Sequence, residues 1–140
     1  MDRTIAARRA AVSAIVLLAF AAPCGAQVHD GRTIVRARLI TDADAANAVR
    51  PFRVGLQLTV APGWHVYWEN PGDTALPIEV AWTLPSGFTA SPLRWPAPTR
   101  YSEGGEITVY GYERETVLLT TITPPAGPIP QATAIHAAAW

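Results

Sequence analysis

The sequence predicts an all-β domain, an immunoglobulin-like antiparallel β-sandwich. Its thirteen prolines are too many for a helical domain of this size. No window after Phe20 keeps apolar residues at helical spacing for three turns. Instead, about seven or eight short alternating segments follow one another at roughly ten-residue spacing, separated by turns rich in Pro and Gly. Short strands at this spacing are typical of two packed antiparallel sheets.

Two early segments carry the clearest strand pattern. Residues 33–40 alternate, and the side chains predicted to be buried are Val35, Ala37 and Leu39. In residues 52–60 every second side chain is apolar, which predicts one buried face. The side chains on that face are Phe52, Val54, Leu56, Leu58 and Val60. Residues 42–48 between these strands are predicted to form a connection with one helical turn at most.

Residues 64–69 are predicted to form the next strand, after the Pro62-Gly63 turn. Because alternation forces successive side chains to opposite faces, half of them are expected inside and half outside. The inward side chains are Trp64, Val66 and Trp68. The outward side chains are His65, Tyr67 and Glu69.

The second half of the chain repeats the pattern of short strands and turns. Further strands are predicted at residues 78–84, 88–93, 107–112, 116–123 and 131–140. The pair 107–112 and 116–123 is expected to form a hairpin around Gly111, Glu113 and Arg114. Residues 101–106 contain Gly104-Gly105 and are predicted to form a mobile loop.

The N-terminus has the pattern of a cleavable signal peptide. Arg3, Arg8 and Arg9 precede an uncharged apolar stretch of about 13 residues, and small residues suit cleavage after Ala26. A membrane-spanning helix needs roughly 20 residues, so an anchor is the weaker interpretation. Acylation at Cys24 is a further alternative, but Pro23 does not suit a lipoprotein peptidase. We therefore expect a signal peptide at 1–26 and one exported domain at 27–140.

Composition excludes several classes of function. All eleven basic residues are Arg. The expected mature chain contains eight of them and ten acidic residues, which gives a net charge of about −2. This charge is unsuited to nucleic acid. The three histidines lie more than 30 residues apart, so no metal site is predicted, and His65 and Glu69 are interpreted as solvent-facing. Neither a nucleophile elbow nor a catalytic residue is identified.

The aromatic residues leave one alternative function open. An exposed aromatic row on a β-sandwich can stack on sugar rings, although core packing also requires several large side chains. Carbohydrate binding would need at least two of four side chains to be exposed and coplanar. They are Tyr67, Trp95, Tyr110 and Tyr112. A non-redox domain that binds carbohydrate or protein is therefore retained as an alternative.

A longer motif connects the chain to a known family. The block Pro62-Gly63-Trp64-His65-Val66-Tyr67-Trp68-Glu69-Asn70-Pro71-Gly72-Asp73-Thr74 is followed by Leu76-Pro77. Shorter pieces follow in order at Trp82, 84–88, 93–98 and Tyr110-Gly111-Tyr112. Over residues 35–140 this pattern resembles the N-terminal periplasmic domain of the DsbD/ScsB family of thiol:disulfide interchange proteins.

The resemblance implies a function without a cofactor. In that family, an immunoglobulin-like domain carries a cysteine pair on a late strand. It receives electrons from a membrane-embedded domain and passes them to periplasmic thiol oxidoreductases. This chain departs from the pattern, because Cys24 is its only cysteine. The pair would follow Trp140, so we expect a domain truncated at its C-terminal end and inactive alone in disulfide reduction.

The resemblance also implies one partner-binding element. Relatives have a cap loop that shields the cysteine pair, and its place in the strand order corresponds here to six residues. They are Tyr101, Ser102, Glu103, Gly104, Gly105 and Glu106. A plain hairpin loop is the alternative interpretation of the same residues.

Overall fold

The computed structural model of the protein describes residues 17–19, 26–43, 49–73, 75–127 and 132–139. Most of the predicted signal peptide lies outside these ranges, as do Cys24, residues 44–48 of the predicted connection, and Trp140. Among the described residues, no helix is long and apolar enough to span a membrane.

Twelve strands form within these ranges. They are β1 (Leu17–Ala19), β2 (Ala26–His29), β3 (Arg32–Thr41), β4 (Phe52–Val60), β5 (Val66–Gly72), β6 (Val80–Thr83), β7 (Thr89–Ala90), β8 (Thr99–Glu103), β9 (Ile107–Tyr112), β10 (Glu115–Thr123), β11 (Ala132–Ala134) and β12 (His136–Ala139).

The strands assemble mainly into antiparallel sheets. The largest has five strands in the order β2-β3-β4-β10-β7, and a second has three in the order β5-β9-β8. Strand β12 pairs with β6, also antiparallel, whereas β1 and β11 pair in parallel. The predicted all-β, antiparallel fold is therefore confirmed.

The core lies between the five-stranded sheet and the other strands. Side chains of β4 and β10 form its floor, and β5, β6, β9 and β12 supply the facing residues. The predicted face of β4 is buried at all five positions, and Leu118 and Ile122 of β10 are fully buried beside it. Removing this apolar surface from water is the main force that holds the two layers together.

The predicted hairpin of β9 and β10 is wrong. Strand β9 pairs with β5 and β8, whereas β10 pairs with β4 and β7, so the chain crosses from one sheet to the other at residues 113–114. Arg114 has a φ of 60° there, and its carbonyl accepts a 2.7 Å hydrogen bond from Val60 N. A short polar connection is compatible both with a hairpin in one sheet and with a crossing between two sheets. The strand patterns are the same in both cases, because both strands bury one face in the same core.

The predicted inward position of Trp64 is also wrong. Strand β5 begins at Val66, and Trp64 precedes it in a turn where its N–H donates to Ala61 O at 3.1 Å. The indole is 41% exposed and lies against His29, with ring centroids 5.2 Å apart. Val66 and Trp68 do pack in the core, as predicted. Alternation fails at Trp64 because the turn extends two residues into the predicted strand.

Candidate functional site

The β8–β9 hairpin positions the candidate site. Its register pairs Glu103 with Ile107, which leaves a three-residue turn at 104–106. Gly104 and Gly105 have φ angles of 60° and 87°, a region that glycine adopts without steric cost. The predicted loop at 101–106 is thus the end of a strand followed by a tight turn.

Strand order brings side chains from β5 and β8 together over β9. Tyr67 pairs with Gly111, Tyr101 with Val109 and Glu103 with Ile107, so all of them lie on one face of the sheet. That face points away from the core, because the next residue of β9, Tyr112, points the other way and belongs to the core. Val109 is nevertheless fully buried, which means that other side chains cover it.

Four residues, His65, Tyr67, Tyr101 and Glu103, form what we call the His65 cluster. The His65 ring stacks on Tyr101, with centroids 5.0 Å apart and an interplanar angle of 14°. It also forms a T-shaped contact with the Tyr67 ring, with centroids 5.0 Å apart and an interplanar angle of 85°. The Tyr67 hydroxyl donates to Glu103 Oε1 at 3.3 Å. The cluster therefore ties the hairpin to the start of β5.

Burial and the carboxylate of Glu103 together set the electrostatics of this cluster. His65 Nε2 lies 2.9 Å from Glu103 Oε1, at ion-pair distance, but it is not aligned for a hydrogen bond and is shielded from solvent. Burial raises the pKa of Tyr67, and the negative charge of Glu103 and the hydrogen bond to it raise this pKa further. The cluster presents a carboxylate that can attract a cation.

A cleft of about 760 Å³ opens beside the cluster. Its walls come from the start of β5, from β2 and β3, and from residues 76–79. The lining residues are Gln27, Ile34, Val35, Gly63, Trp64, His65, Val66, Tyr67, Leu76, Pro77, Ile78, Glu79 and Glu103. They include two carboxylates and neither Lys nor Arg. The cleft is therefore an apolar depression with negative charge.

His65 and Glu69, which share one face in the predicted strand, do not contact a common site in the structure. Glu69 is exposed, and the carboxylate beside His65 is Glu103 instead. Within the described residues, no group of three or more His, Cys, Asp or Glu side chains is arranged to hold a metal ion.

The aromatic row required for carbohydrate stacking does not form from its four candidates. Tyr112 is buried, and Tyr67, Trp95 and Tyr110 are all partly buried.

The His65 cluster was missed at the sequence level, although a signal was present. His65 and Tyr67 alternate in one segment, and Tyr101 and Glu103 alternate in another. Their meeting depends on β9 lying between β5 and β8, and this order is not encoded by the spacing of either pair.

Comparison with known proteins now identifies the domain. The family described as "Thiol:disulfide interchange protein DsbD, N-terminal" matches residues 36–139. The chain belongs to this family. The match confirms the resemblance found in the sequence. No curated protein matches the chain significantly in sequence.

A solved structure shows the same fold. The N-terminal periplasmic domain of ScsB from Proteus mirabilis superposes with a TM-score of 0.54 at 20% sequence identity. The alignment covers 83% of this chain and 49% of that one, so the chain spans about half the length of the ScsB domain. The DsbD-type region of this chain, residues 36–139, contains no cysteine, because Cys24 precedes it.

Proposed function

We propose that this chain is the partner-docking part of a periplasmic thiol:disulfide interchange module, and that the exchanging cysteine pair is not part of it. The observation that carries the proposal is the family match over residues 36–139, a region without cysteine. Exchange requires a thiolate that attacks a disulfide and a second thiol that resolves the mixed disulfide. The matched region can offer a surface for partners, but it cannot carry out this chemistry.

The docking element is the end of β8 with its turn, Tyr101–Glu106, acting as a cap over the redox centre of the module. Its anchoring supports this role, because Glu103 contacts both Tyr67 and His65. Glu106 at the turn is exposed and available to a partner. The partners are thiol oxidoreductases, and a membrane-embedded domain supplies the electrons.

The docking proposal is tested by titrating the isotope-labelled chain with a periplasmic thiol oxidoreductase and following its amide signals by NMR. Shifts are expected at residues 101–106. Glu106→Arg should weaken binding about tenfold, whereas Glu113→Arg should leave it unchanged. The two exposed glutamates flank β9 at opposite ends, roughly 20 Å apart, which makes them a matched pair. Equal effects of both substitutions would contradict the proposal.

Export is the second part of the proposal. Cleavage after Ala26 removes Cys24 and β1, so the exported domain begins at Gln27 and has no thiol. When this chain is expressed, the protein recovered from the periplasm should have Gln27 as its N-terminal residue, and thiol titration should give no signal. Recovery of a chain that retains Cys24, or reduction of insulin by the purified chain, would refute this part.

A further inference from the structure

We infer that the cleft beside the His65 cluster binds a basic side chain, Arg or Lys, presented between apolar residues by an extended segment of a partner protein. The inference deepens the docking proposal, on which it rests for the existence of a protein partner. Glu103 belongs to both surfaces, whereas the rest of the cleft is separate from the hairpin turn.

The charge of the cleft selects a cation. Glu79 and Glu103 line it, and none of the other lining residues carries a fixed positive charge. Both side-chain contacts of Glu103, from Tyr67 and His65, go to Oε1. Oε2 can therefore accept a hydrogen bond from a bound ligand. The contacts to Oε1 hold the carboxylate in a fixed position, which favours this hydrogen bond.

Two exposed apolar residues of the cleft lining, which we call the rim, favour a ligand that carries apolar groups beside the cation. Trp64 is 41% exposed and Leu76 is 84% exposed, and both line the cleft. Single exposed apolar residues are common, but two at the mouth of one depression form a surface that a ligand would cover. The Trp64 ring also offers a face for a cation–π contact.

The same rim favours a polypeptide segment over a small amine. A small amine bound to the carboxylates has little apolar surface of its own with which to cover Trp64 and Leu76. An extended segment with apolar side chains two residues before and two residues after the basic one places all three on the same face and could cover both Trp64 and Leu76. Burial of that apolar surface adds affinity to the charge interaction.

The first test uses a peptide without tryptophan, acetyl-Leu-Ala-Arg-Ala-Leu-amide, and the exported domain; in an extended peptide the two Leu side chains lie on the same face as the Arg. Binding is measured by tryptophan fluorescence and by NMR shifts at residues 64–67 and 76–79. The control peptide carries citrulline in place of Arg, which keeps the shape and removes the charge. We expect saturable binding of the Arg peptide, at least tenfold weaker binding of the citrulline peptide, and weaker binding as salt is raised. Equal affinity for the two peptides, or no saturable binding, would overturn the inference.

The second test assigns the site. Glu79→Gln and Glu103→Gln should each weaken binding of the Arg peptide about tenfold, and Trp64→Leu should remove most of the fluorescence change. Glu113→Gln is the control, because Glu113 is exposed and does not line the cleft. Thermal melting of each variant shows whether it remains folded, and Glu79→Gln decides the question if Glu103→Gln unfolds the hairpin. Unchanged affinity in Glu79→Gln would overturn the inference.

The two proposals can fail separately. If oxidoreductase docking is absent while the Arg peptide binds and depends on Glu79, the docking proposal fails and the cleft assignment stands. If docking depends on Glu106 but neither peptide binds, only the cleft assignment is overturned.

Discussion

At the scale of single residues, the closest packing in the second sheet depends on Gly111. This residue lies in β9, opposite Tyr67 of β5 and Thr99 of β8. A Cβ at position 111 would overlap the backbone carbonyl oxygen of Val66 and lie 3.1 Å from its carbonyl carbon. Backbone cannot move aside as a flexible side chain can, so β5 approaches β9 this closely only because residue 111 is glycine.

Gly111→Ala should therefore lower the free energy of unfolding by roughly 3 kcal/mol, because β5 must separate from β9. The control is Gly127→Ala, where a Cβ meets no atom of the described residues within 4 Å and φ is not positive. That variant should stay within about 0.5 kcal/mol of the parent protein. Urea unfolding followed by tryptophan fluorescence measures both, and similar midpoints for the two variants would contradict the packing argument.

At the scale of elements, β10 presents two unequal faces. Leu118 is fully buried in the core beside Leu56 and Leu58. Its neighbour Leu119 lies on the outer face, only partly buried, between Gly55 of β4 and the backbone bridge to Arg94. Two adjacent leucines thus occupy sites that differ mainly in burial.

Leu118→Ala should lower the free energy of unfolding by about 3 kcal/mol, because it leaves a cavity between the layers. Leu119→Ala should cost about 1 kcal/mol, since solvent can fill the space on the outer face. Chemical denaturation of the two variants provides the comparison. A larger loss at Leu119 would mean that the faces of β10 have been assigned the wrong way round.

At the scale of the whole molecule, the sequence predicts strands better than it predicts their partners. The predicted bounds of β4 and β9 agree with the structure, because alternation is a local property of the chain. Neither the crossing at 113–114 nor the order β5-β9-β8 is local, since both depend on which faces share the core. The His65 cluster depends on that strand order, so the sequence alone does not predict it. Two of its members, Tyr101 and Glu103, do belong to the predicted cap loop.

The alkaline stability of the domain should report on Tyr112. Burial, followed by the nearby charge of Glu69, raises the pKa of Tyr112 to about 12. The folded state therefore favours the neutral phenol, whose hydroxyl donates to Pro96 O at 2.7 Å. The stability that this provides is complete below the ordinary tyrosine pKa of about 10. It is lost as the pH rises to about 12.

The loss should show as a fall in the free energy of unfolding, measured by urea denaturation between about pH 9 and pH 12. The chain has no lysine, so in a protein prepared as residues 27–140, which lacks Cys24, tyrosines are the main side chains that titrate in this range. Tyr112→Phe should be less stable at neutral pH but should lose less stability across the window. If the free energy of unfolding fell equally with pH in both proteins, the pKa of Tyr112 would not be raised in the folded state.

The pairing of β4 with β10 also sets the order in which the domain can be completed. When the domain folds, β4 can pair with β3, which is close in sequence, but its other edge stays open until β10 joins it from about 60 residues further along the chain. Closing so long a loop is slow compared with forming a hairpin. Until then the edge of β4 displays unpaired N–H and C=O groups beside apolar side chains, a template for unwanted strand pairing. The edge of β4 is thus exposed to unwanted pairing for as long as residues 115–122 have not joined it.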